Sequence, residues 1–364
     1  MNAGYKPCSL GSVAKVIAGQ SPEGKYYNDK GEGLPFYQGK KEFGERVIGE
    51  PTTWTTYVTK IGEPGDILMS VRAPVGPVNF TDQKICIGRG LAAIRTNDTI
   101  DSDFLYYQLL SKQDGIAGTE GAVFASINKA AIEALQVVVP AIEEQRRIVT
   151  LLDEAFADIA TAKANAEKNL RNARELFESA LYLIEGKKEQ LGEYVTIKTG
   201  KLDANAAVVD GEYPFFTCSR EIFEIDTFAF DCEAILLAGN NAVGDFNVKH
   251  YSGKFNAYQR TYVITIQDEE KLRYRYLYFQ MIKSLKKFKE QSVGSSTKFL
   301  KLGMIKELEI TLPSIQEQDR QLKLLSGLLK QVEDLEFIYR QKLTALDDLK
   351  KSLLHQAFSG QLTQ

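Results

Sequence analysis

The chain has 364 residues, 44% of them hydrophobic and 26% charged, which is enough apolar material for two domains with their own cores and too much for a disordered tail. With 45 Lys and Arg against 48 Asp and Glu the net charge is −3, which excludes a protein that simply coats nucleic acid and confines any basic surface to local patches. No run of about 18 uncharged apolar residues is available to span a membrane, and residues 1–19 lack the charged, apolar and small-residue order of a secretory leader, so the expected location is cytoplasmic with no membrane partner.

Taken in chain order, residues 2–139 are rich in Gly, Tyr, Phe and Thr, with short apolar runs such as Asp66 to Val71 set off by Gly and Pro. They read as strands of a globular α+β domain, with a short helix over Asp103 to Ser111 where aromatic and apolar residues recur at helical spacing. Pro140 stops the strand before it and suits the first turn of a helix, and residues 141–185 contain no proline. There Ile148, Leu152, Ala155, Ile159, Ala162, Ala166, Leu170, Ala173, Phe177, Ala180 and Ile184 form a heptad seam with one stutter at Ala166 to Leu170. Residues 187–312 return to the first character, with an apolar run at Ala234 to Ala238 and a helix over Tyr274 to Phe288. Pro313 then opens a second proline-free stretch, 314–357, with Ser314 and Glu317 placed as a capping box. Its stripe is Leu325, Leu328, Val332, Leu335, Tyr339, Leu343, Leu346, Leu349 and Leu353. Each long helix would span about 65 Å at a rise of about 1.5 Å per residue, so two such helices most simply bury each other.

The second half repeats the first. Leu10-Gly11-Ser12-Val13 returns as Leu191-Gly192-Glu193-Tyr194, Gly19 as Gly200, and Pro35-Phe36-Tyr37 as Pro214-Phe215-Phe216. The stretches Ile67-Leu68 to Gly76 and Ile235-Leu236 to Gly244 correspond, as do Phe104-Leu105-Tyr106-Tyr107-Gln108 and Tyr276-Leu277-Tyr278-Phe279-Gln280. Val139-Pro140-Ala141-Ile142-Glu143-Glu144-Gln145 is followed by Leu312-Pro313-Ser314-Ile315-Gln316-Glu317-Gln318 in the same place. The order never changes and the spacing is always roughly 170 to 180 residues, which marks one unit duplicated with loop changes. The largest change places an extra loop in the first copy around Gly39 to Gly62. The expected fold class is α+β, with two pseudo-symmetric globular domains, 1–139 and 187–312, separated by two long helices, 140–186 and 313–364. The helices are expected to form an antiparallel coiled coil, a rod with a globular head at each end.

The absences are informative. The Gly-Lys pairs at Gly39, Gly186, Gly200 and Gly253 lack the upstream glycine of a phosphate loop, and there is no His-Glu-x-x-His and no Gly-x-Ser-x-Gly. Gly88-Arg89-Gly90 resembles part of a dinucleotide fingerprint but follows a three-residue apolar run, too short for the strand that motif needs. Four scattered cysteines, Cys8, Cys86, Cys218 and Cys232, with His250 and His355 as the histidines, argue against a disulfide scaffold, a structural zinc or any metal centre, and leave a Ser-His or Cys-His mechanism few places to act. No catalytic residue is assigned.

The two globular segments offer instead turns in which Gly, amides and basic residues adjoin strands: Gln38, Lys40, Lys41, Ser70, Arg72 and Arg89 in the first, and Ser219, Arg220, Asn240, Asn241, Gln259, Arg260, Ser296 and Lys298 in the second. Gln, Asn, Arg and Lys carry the donors that match base edges, while Ser and backbone amides suit phosphates. Gly, Asn and Ser also simply make turns; it is their recurrence in corresponding places that favours DNA binding. Lys283, Lys286, Lys287 and Lys289 form the one dense basic run, suited to phosphates. Both globular segments are close to neutral and the first helix is acidic, so a partner is expected to supply part of the grip on DNA.

These features resemble the specificity subunits of type I restriction-modification systems, through the openings at Leu10-Gly11 and Leu191-Gly192, the two Pro-x-Ile-x-Glu-Gln helix starts at Pro140 and Pro313, and the ending from Leu353 to Gly360. The resemblance covers essentially the whole chain. It implies two target-recognition domains, each reading one half of a bipartite, asymmetric site on double-stranded DNA, and helices that set the gap and dock two methyltransferase subunits. It further implies S-adenosylmethionine on those subunits, ATP and Mg on restriction and motor subunits, and no cofactor or chemistry on this chain. The chain starts almost directly in the first recognition domain and its last turn, Phe358 to Gln364, is short, so the segment that closes the circle between the termini is expected to be reduced. Two other readings stay open. One is a protein scaffold with no DNA, which predicts matching loops in the two copies; the other is the recognition subunit of a methyltransferase-nuclease fusion.

Overall fold

The computed structural model describes residues 7–117, 126–359 and Gln361; the first six residues and most of the last turn, where the sequence suggests a reduced closing segment, lie outside them. Four helices longer than two turns are present among the described residues: α1 (Ser102–Ser111), α2 (Ile142–Tyr182), α3 (Tyr274–Gln291) and α4 (Ile315–Ser359). The chain divides into two compact units, Met1–Ala166 with Gln341–Gln364, and Glu167–Arg340. These units do not coincide with the four segments of the sequence reading, because each takes one globular segment together with part of both long helices.

In the first unit the strands are β1 (Ala14–Ala18), β2 (Leu34–Tyr37), β3 (Ile67–Ser70), β4 (Val78–Phe80), β5 (Ile85–Ile87) and β6 (Leu91–Thr96). β6 lies between β1 and β3, antiparallel to both, and β4 continues the sheet beyond β3. β2 runs parallel to β5, with Phe36 beside Cys86. Side chains alternate across a strand, and both faces of this sheet are covered. Ile67, Met69, Ala92 and Ile94 enter one core, while Leu68, Leu91 and Ala93 enter a second on the other face. That is why these strands read as unbroken apolar runs rather than as alternating ones.

The second unit repeats the plan with β7 (Val195–Thr199), β8 (Tyr213–Phe216), β9 (Phe230–Ala238), β10 (Val248–Ala257) and β11 (Thr261–Ile266). β11 lies between β7 and β9, β10 follows β9, and β8 runs parallel to β10 with Phe215 beside Asn256. One long strand, β10, does here what the two short strands β4 and β5 do in the first unit. The difference arises from the extra loop, which in the first copy supplies Trp54–Thr55 and Ile61–Gly62 as small edge strands beside β2 and β5. Arg46, in the same loop, donates to Asp153 at 2.7 Å and to Asp103 at 2.6 Å, and lies over the ring of Tyr107. The insertion is thereby tied to α1 and α2.

The long helices run antiparallel within each unit. In the first, Lys163 pairs with Asp347 and the Lys350 ammonium lies 4.8 Å from the centre of the Phe156 ring. In the second, Arg174 bonds Glu336 at 2.5 Å, and Ala180 and Ile184 come together with Leu325 and Leu328. Every position of the seam predicted from Ile148 to Ile184 is buried or half-buried. The stripe predicted on α4 needs correction, since Leu335 is 39% and Leu349 46% exposed, and Leu354 and Ala357 are buried next to Leu353 instead. A straight helix of 3.6 residues per turn drifts off a strict 3.5 repeat, and α4 is long enough for the drift to move its buried face.

Each globular segment is closed at its base by a short antiparallel pair, Pro7–Ser9 with Gln136–Val138 and Lys187–Gln190 with Glu309–Leu312. Each also grips the helix that follows it through one buried amide. Gln145, fully buried, accepts from the Asp101 amide at 2.7 Å and donates to Pro140 O at 2.8 Å and Thr99 O at 3.1 Å. Gln318, also fully buried, accepts from the Arg273 amide at 3.0 Å and donates to Lys271 O at 2.8 Å and Pro313 O at 3.1 Å. The final Gln of Pro-x-Ile-x-Glu-Gln is thus a clamp between helix start and globular segment, and Glu317 N–H to Ser314 Oγ at 3.4 Å supplies one half of the expected capping box. Removing a clamp takes the side-chain partner from three backbone groups that range from buried to exposed, at about 1–3 kcal/mol for one left buried and unmatched. Gln145→Ala and Gln318→Ala are each expected to lose about 2–4 kcal/mol in urea unfolding, and a loss below about 0.5 kcal/mol would show that the amides are not what fixes the helix starts.

Candidate nucleic-acid interface

In the first unit the loops carrying the predicted residues meet at one end of the sheet. The loop after β2 holds Gln38 and then a single 3-10 turn at Lys40–Glu42. The loop between β5 and β6 holds Arg89, and Gly90 N–H donates to Gln38 O at 2.9 Å. A β-carbon on Gly90 would lie 2.2 Å from that oxygen, so this approach admits no side chain. Gly90 O in turn accepts from Val71 N–H at 2.9 Å, which fixes the loop carrying Arg72 against the same group. Arg89 N–H donates to Ser21 Oγ at 3.2 Å, bringing the loop after β1 to the cluster. Gln38, Lys40, Lys41, Arg72 and Arg89 are exposed, and the four cations among them make no ion pair among the described residues. Ser70 is different: it is 3% exposed and its hydroxyl is directed to Arg72 O and Pro74 O, both at 3.1 Å. It shapes the loop from which Arg72 projects.

The second unit builds a corresponding cluster at the same end of its sheet. Gly239, after β9, donates to Arg260 O at 2.9 Å, and a β-carbon there would lie 2.3 Å from that oxygen. Leu300 N–H donates to Gly239 O at 2.9 Å, and the Asn240–Asn241 backbone pairs with Lys298–Phe299. The Arg260 guanidinium lies 5.2 Å from the centre of the Phe299 ring, a stacking that holds a cation in place while leaving its edge exposed. Thr199, Gln259, Arg260, Phe299 and Lys301 line an open cleft of about 490 Å³. Gln259 reaches Asp203 at 3.4 Å, and Ser296 is exposed beyond Gly294.

Three of the predicted residues here are engaged by partners within the chain. Asn241 Oδ1 accepts from the amides of Val243 and Asp245 and so organises the turn. Arg220 is paired with Asp245 at 2.7 Å. Ser219 Oγ accepts from the Glu221 amide, and its carbonyl accepts from Lys249 Nζ at 2.5 Å. Burial pushes the Lys249 ammonium below its ordinary range, which marks it as a support for the Ser219–Arg220 loop from below. Lys249, Lys301, Phe299 and Ser21 were not singled out from sequence. Lys249, Phe299 and Ser21 join their clusters through partners distant in the chain, and Lys301 lines the cleft beside Arg260, which no local pattern signals.

The arrangement presents amide and guanidinium donors on loops fixed to one another, a chemistry that matches base edges and phosphates. Gly90→Ala is expected to displace the Gln38 and Val71 loops together, lowering the melting temperature of the chain by several degrees; unchanged melting would mean that the loops are not mutually fixed.

A family model described as the type I restriction modification DNA specificity domain matches the chain twice, over residues 2–169 and 185–343. The type I restriction enzyme EcoDI specificity subunit of Escherichia coli is 41% identical over 181 residues, 50% of this chain and 39% of that protein. The type I restriction enzyme MjaIX specificity subunit of Methanocaldococcus jannaschii is 27% identical over 182 residues, 46% of this chain and 41% of that protein. The matched stretch therefore spans about two fifths of the length of these relatives. Among solved structures, a chain from a study of complex assembly and conformational transition of the type I R-M system superposes with a TM-score of 0.81 at 17% identity, covering 99% of both chains. The HsdS subunit of Thermoanaerobacter tengcongensis gives 0.57 at 17% identity, over 99% of this chain and 98% of that one. Both establish a shared fold.

Proposed function

The chain belongs to the family of type I restriction modification DNA specificity domains, and we propose that it is the non-catalytic specificity subunit of a DNA methyltransferase and endonuclease complex. Each globular segment reads one half of a bipartite, asymmetric site on double-stranded DNA. The observation that supports this most is the pair of loop clusters, raised on the same end of the same sheet topology but carrying different donors: Gln38, Lys40, Arg72 and Arg89 in one, Asn240, Gln259, Arg260 and Lys298 in the other. A scaffold binding two identical partners would need matching loops, so this difference favours DNA over that reading. Arg and Lys reach guanine O6 and N7, and Gln and Asn suit adenine. Lys41 and Ser296 are assigned to phosphates; Ser70, Ser219, Arg220 and Asn241 hold the loops that the readers stand on.

The long helices set the spacing between half-sites and dock two methyltransferase subunits. Leu176, Leu183, Leu324 and Phe337 support the docking, because they stand 59%, 80%, 62% and 63% exposed on or beside α2 and α4, more apolar surface than a solvated helix normally leaves open. S-adenosylmethionine resides on the methyltransferase subunits, and ATP and Mg on the restriction and motor subunits.

The test is to co-express the chain with the methyltransferase encoded beside it in a host lacking adenine methylation, and to map methylated adenines by single-molecule sequencing. A two-part motif with a fixed gap is expected. Arg72→Ala should relax or abolish one half of the motif and Arg260→Ala the other, each at a cost of about 1–3 kcal/mol, roughly ten- to a hundredfold, on the contacted base. Uniform weakening over all sequences would make either residue a phosphate contact. A stable complex that methylates no motif would sink the reading and return the chain to the scaffold class.

A further inference from the structure

The basic run on α3 faces a cleft that the recognition loops do not use. Lys188, Lys283, Lys286 and Lys287 line it together with Tyr182, Ser284, Gln280 and the carboxylates Glu290 and Glu309, around about 460 Å³ of open space. Lys188 is paired with Glu309 at 2.7 Å. Lys283, Lys286 and Lys287 have no ion pair among the described residues, and the Lys283 ammonium lies against the Tyr182 ring at 5.1 Å from its centre. Burial, with Lys188 adding repulsion, holds the Lys283 ammonium below its ordinary range, the state of a cation that an anion would stabilise.

The floor of the cleft differs between the two copies. In the first, Gln108 bonds both groups of Val138, donating to its carbonyl at 2.7 Å and accepting from its amide at 2.8 Å. In the second, Gln280 accepts from the Thr311 amide at 3.2 Å, but the Thr311 carbonyl is taken by the Tyr276 hydroxyl at 2.8 Å. Gln280 is 3% exposed; its Nε2 makes no well-formed hydrogen bond and lies against the Tyr276 hydroxyl oxygen, which is itself committed as donor to Thr311 O. Phe104, which stands where Tyr276 does, has no hydroxyl to compete for the carbonyl. The first copy also carries Ser111 and Gly115 where the second has Lys283 and Lys287. A buried donor without a good acceptor costs about 1–3 kcal/mol, and Gln280 lines the same cleft as the three lysines.

We propose that this cleft is a phosphate-binding site belonging to the second copy alone, with Lys283, Lys286 and Lys287 supplying the charge over a floor that Gln280 and Thr311 help to form. Its ligand is a phosphate group, carried either by a nucleic-acid backbone outside the recognised bases or by a small phosphorylated molecule. The site does not depend on the recognition role of the loops.

The experiment titrates the full chain with inorganic pyrophosphate by calorimetry, and with a duplex of unrelated sequence at several salt concentrations, comparing wild type, Lys286→Glu/Lys287→Glu and, as control, Lys289→Ala. Lys286 and Lys287 are exposed, so the double variant keeps the fold, which circular dichroism checks. At least a tenfold loss of pyrophosphate affinity is expected in the double variant and none in the control. A backbone source adds a fall of about 2 in the salt-dependence slope for the duplex; a small-molecule source leaves that slope unchanged. Pyrophosphate bound by a wild-type chain that ignores every duplex leaves the cleft standing and counts against the DNA reading alone. Equal pyrophosphate affinity in wild type and double variant, or no binding to wild type, overturns the proposal.

Discussion

The buried amides of Gln145 and Gln318 carry the constraint on which the architecture rests. A primary amide in a dry environment must find partners for its carbonyl and its hydrogens, because each one left unmatched costs a large share of what a domain has to spare. Both side chains meet this demand with the same three backbone groups: the amide that opens the preceding helix, a carbonyl just before it, and the carbonyl of the proline before the long helix. The result locks the start of a long helix to the globular segment before it. The lock acts at the start of helices of 41 and 45 residues, beside the packing of Ile148 and Leu152 into the first core and of Leu325 and Val332 into the second.

On that shared frame the two copies diverge where divergence is structurally cheap. Sheet order and the parallel pairing of β2 with β5 and β8 with β10 are retained, since both faces of each sheet are buried and a shift of one residue would exchange the side chains of the two cores, which are packed for different shapes. The loops at one sheet end face no such demand and differ freely. The insertion in the first copy adds small edge strands, and Arg46 anchors it through two carboxylates and a tyrosine. In the second copy, the exchange of Phe104 for Tyr276 diverts one carbonyl and leaves one amide unmatched. A single hydroxyl thus separates a closed helix-strand contact from one with a free buried donor.

Much of this was legible in the chain. The duplication, the proline stops and the seam from Ile148 to Ile184 are patterns of spacing, and the physics behind them acts between near neighbours on one helix or strand. The α4 stripe failed at Leu335 and Leu349 because the helix rotates its buried face along its length. Ser70, Asn241 and Arg220 looked like DNA contacts because their side chains can bond phosphates or bases, yet nearby carbonyls, amides and Asp245 engage them first. Residue type declares what a side chain can bond; what it does bond depends on what the fold brings within reach.

Spacing and composition alone established two copies of one α+β unit, each followed by a long amphipathic helix. Those properties follow from periodicity and residue chemistry, which are local. Tertiary structure decided which loops converge, which donors stay free within them, that Gln145 and Gln318 are clamps, and that three lysines share a cleft with an unmatched amide. These depend on groups up to about a hundred residues apart meeting at hydrogen-bond distance, and the free energy of such contacts is set by burial, which no stretch of sequence contains.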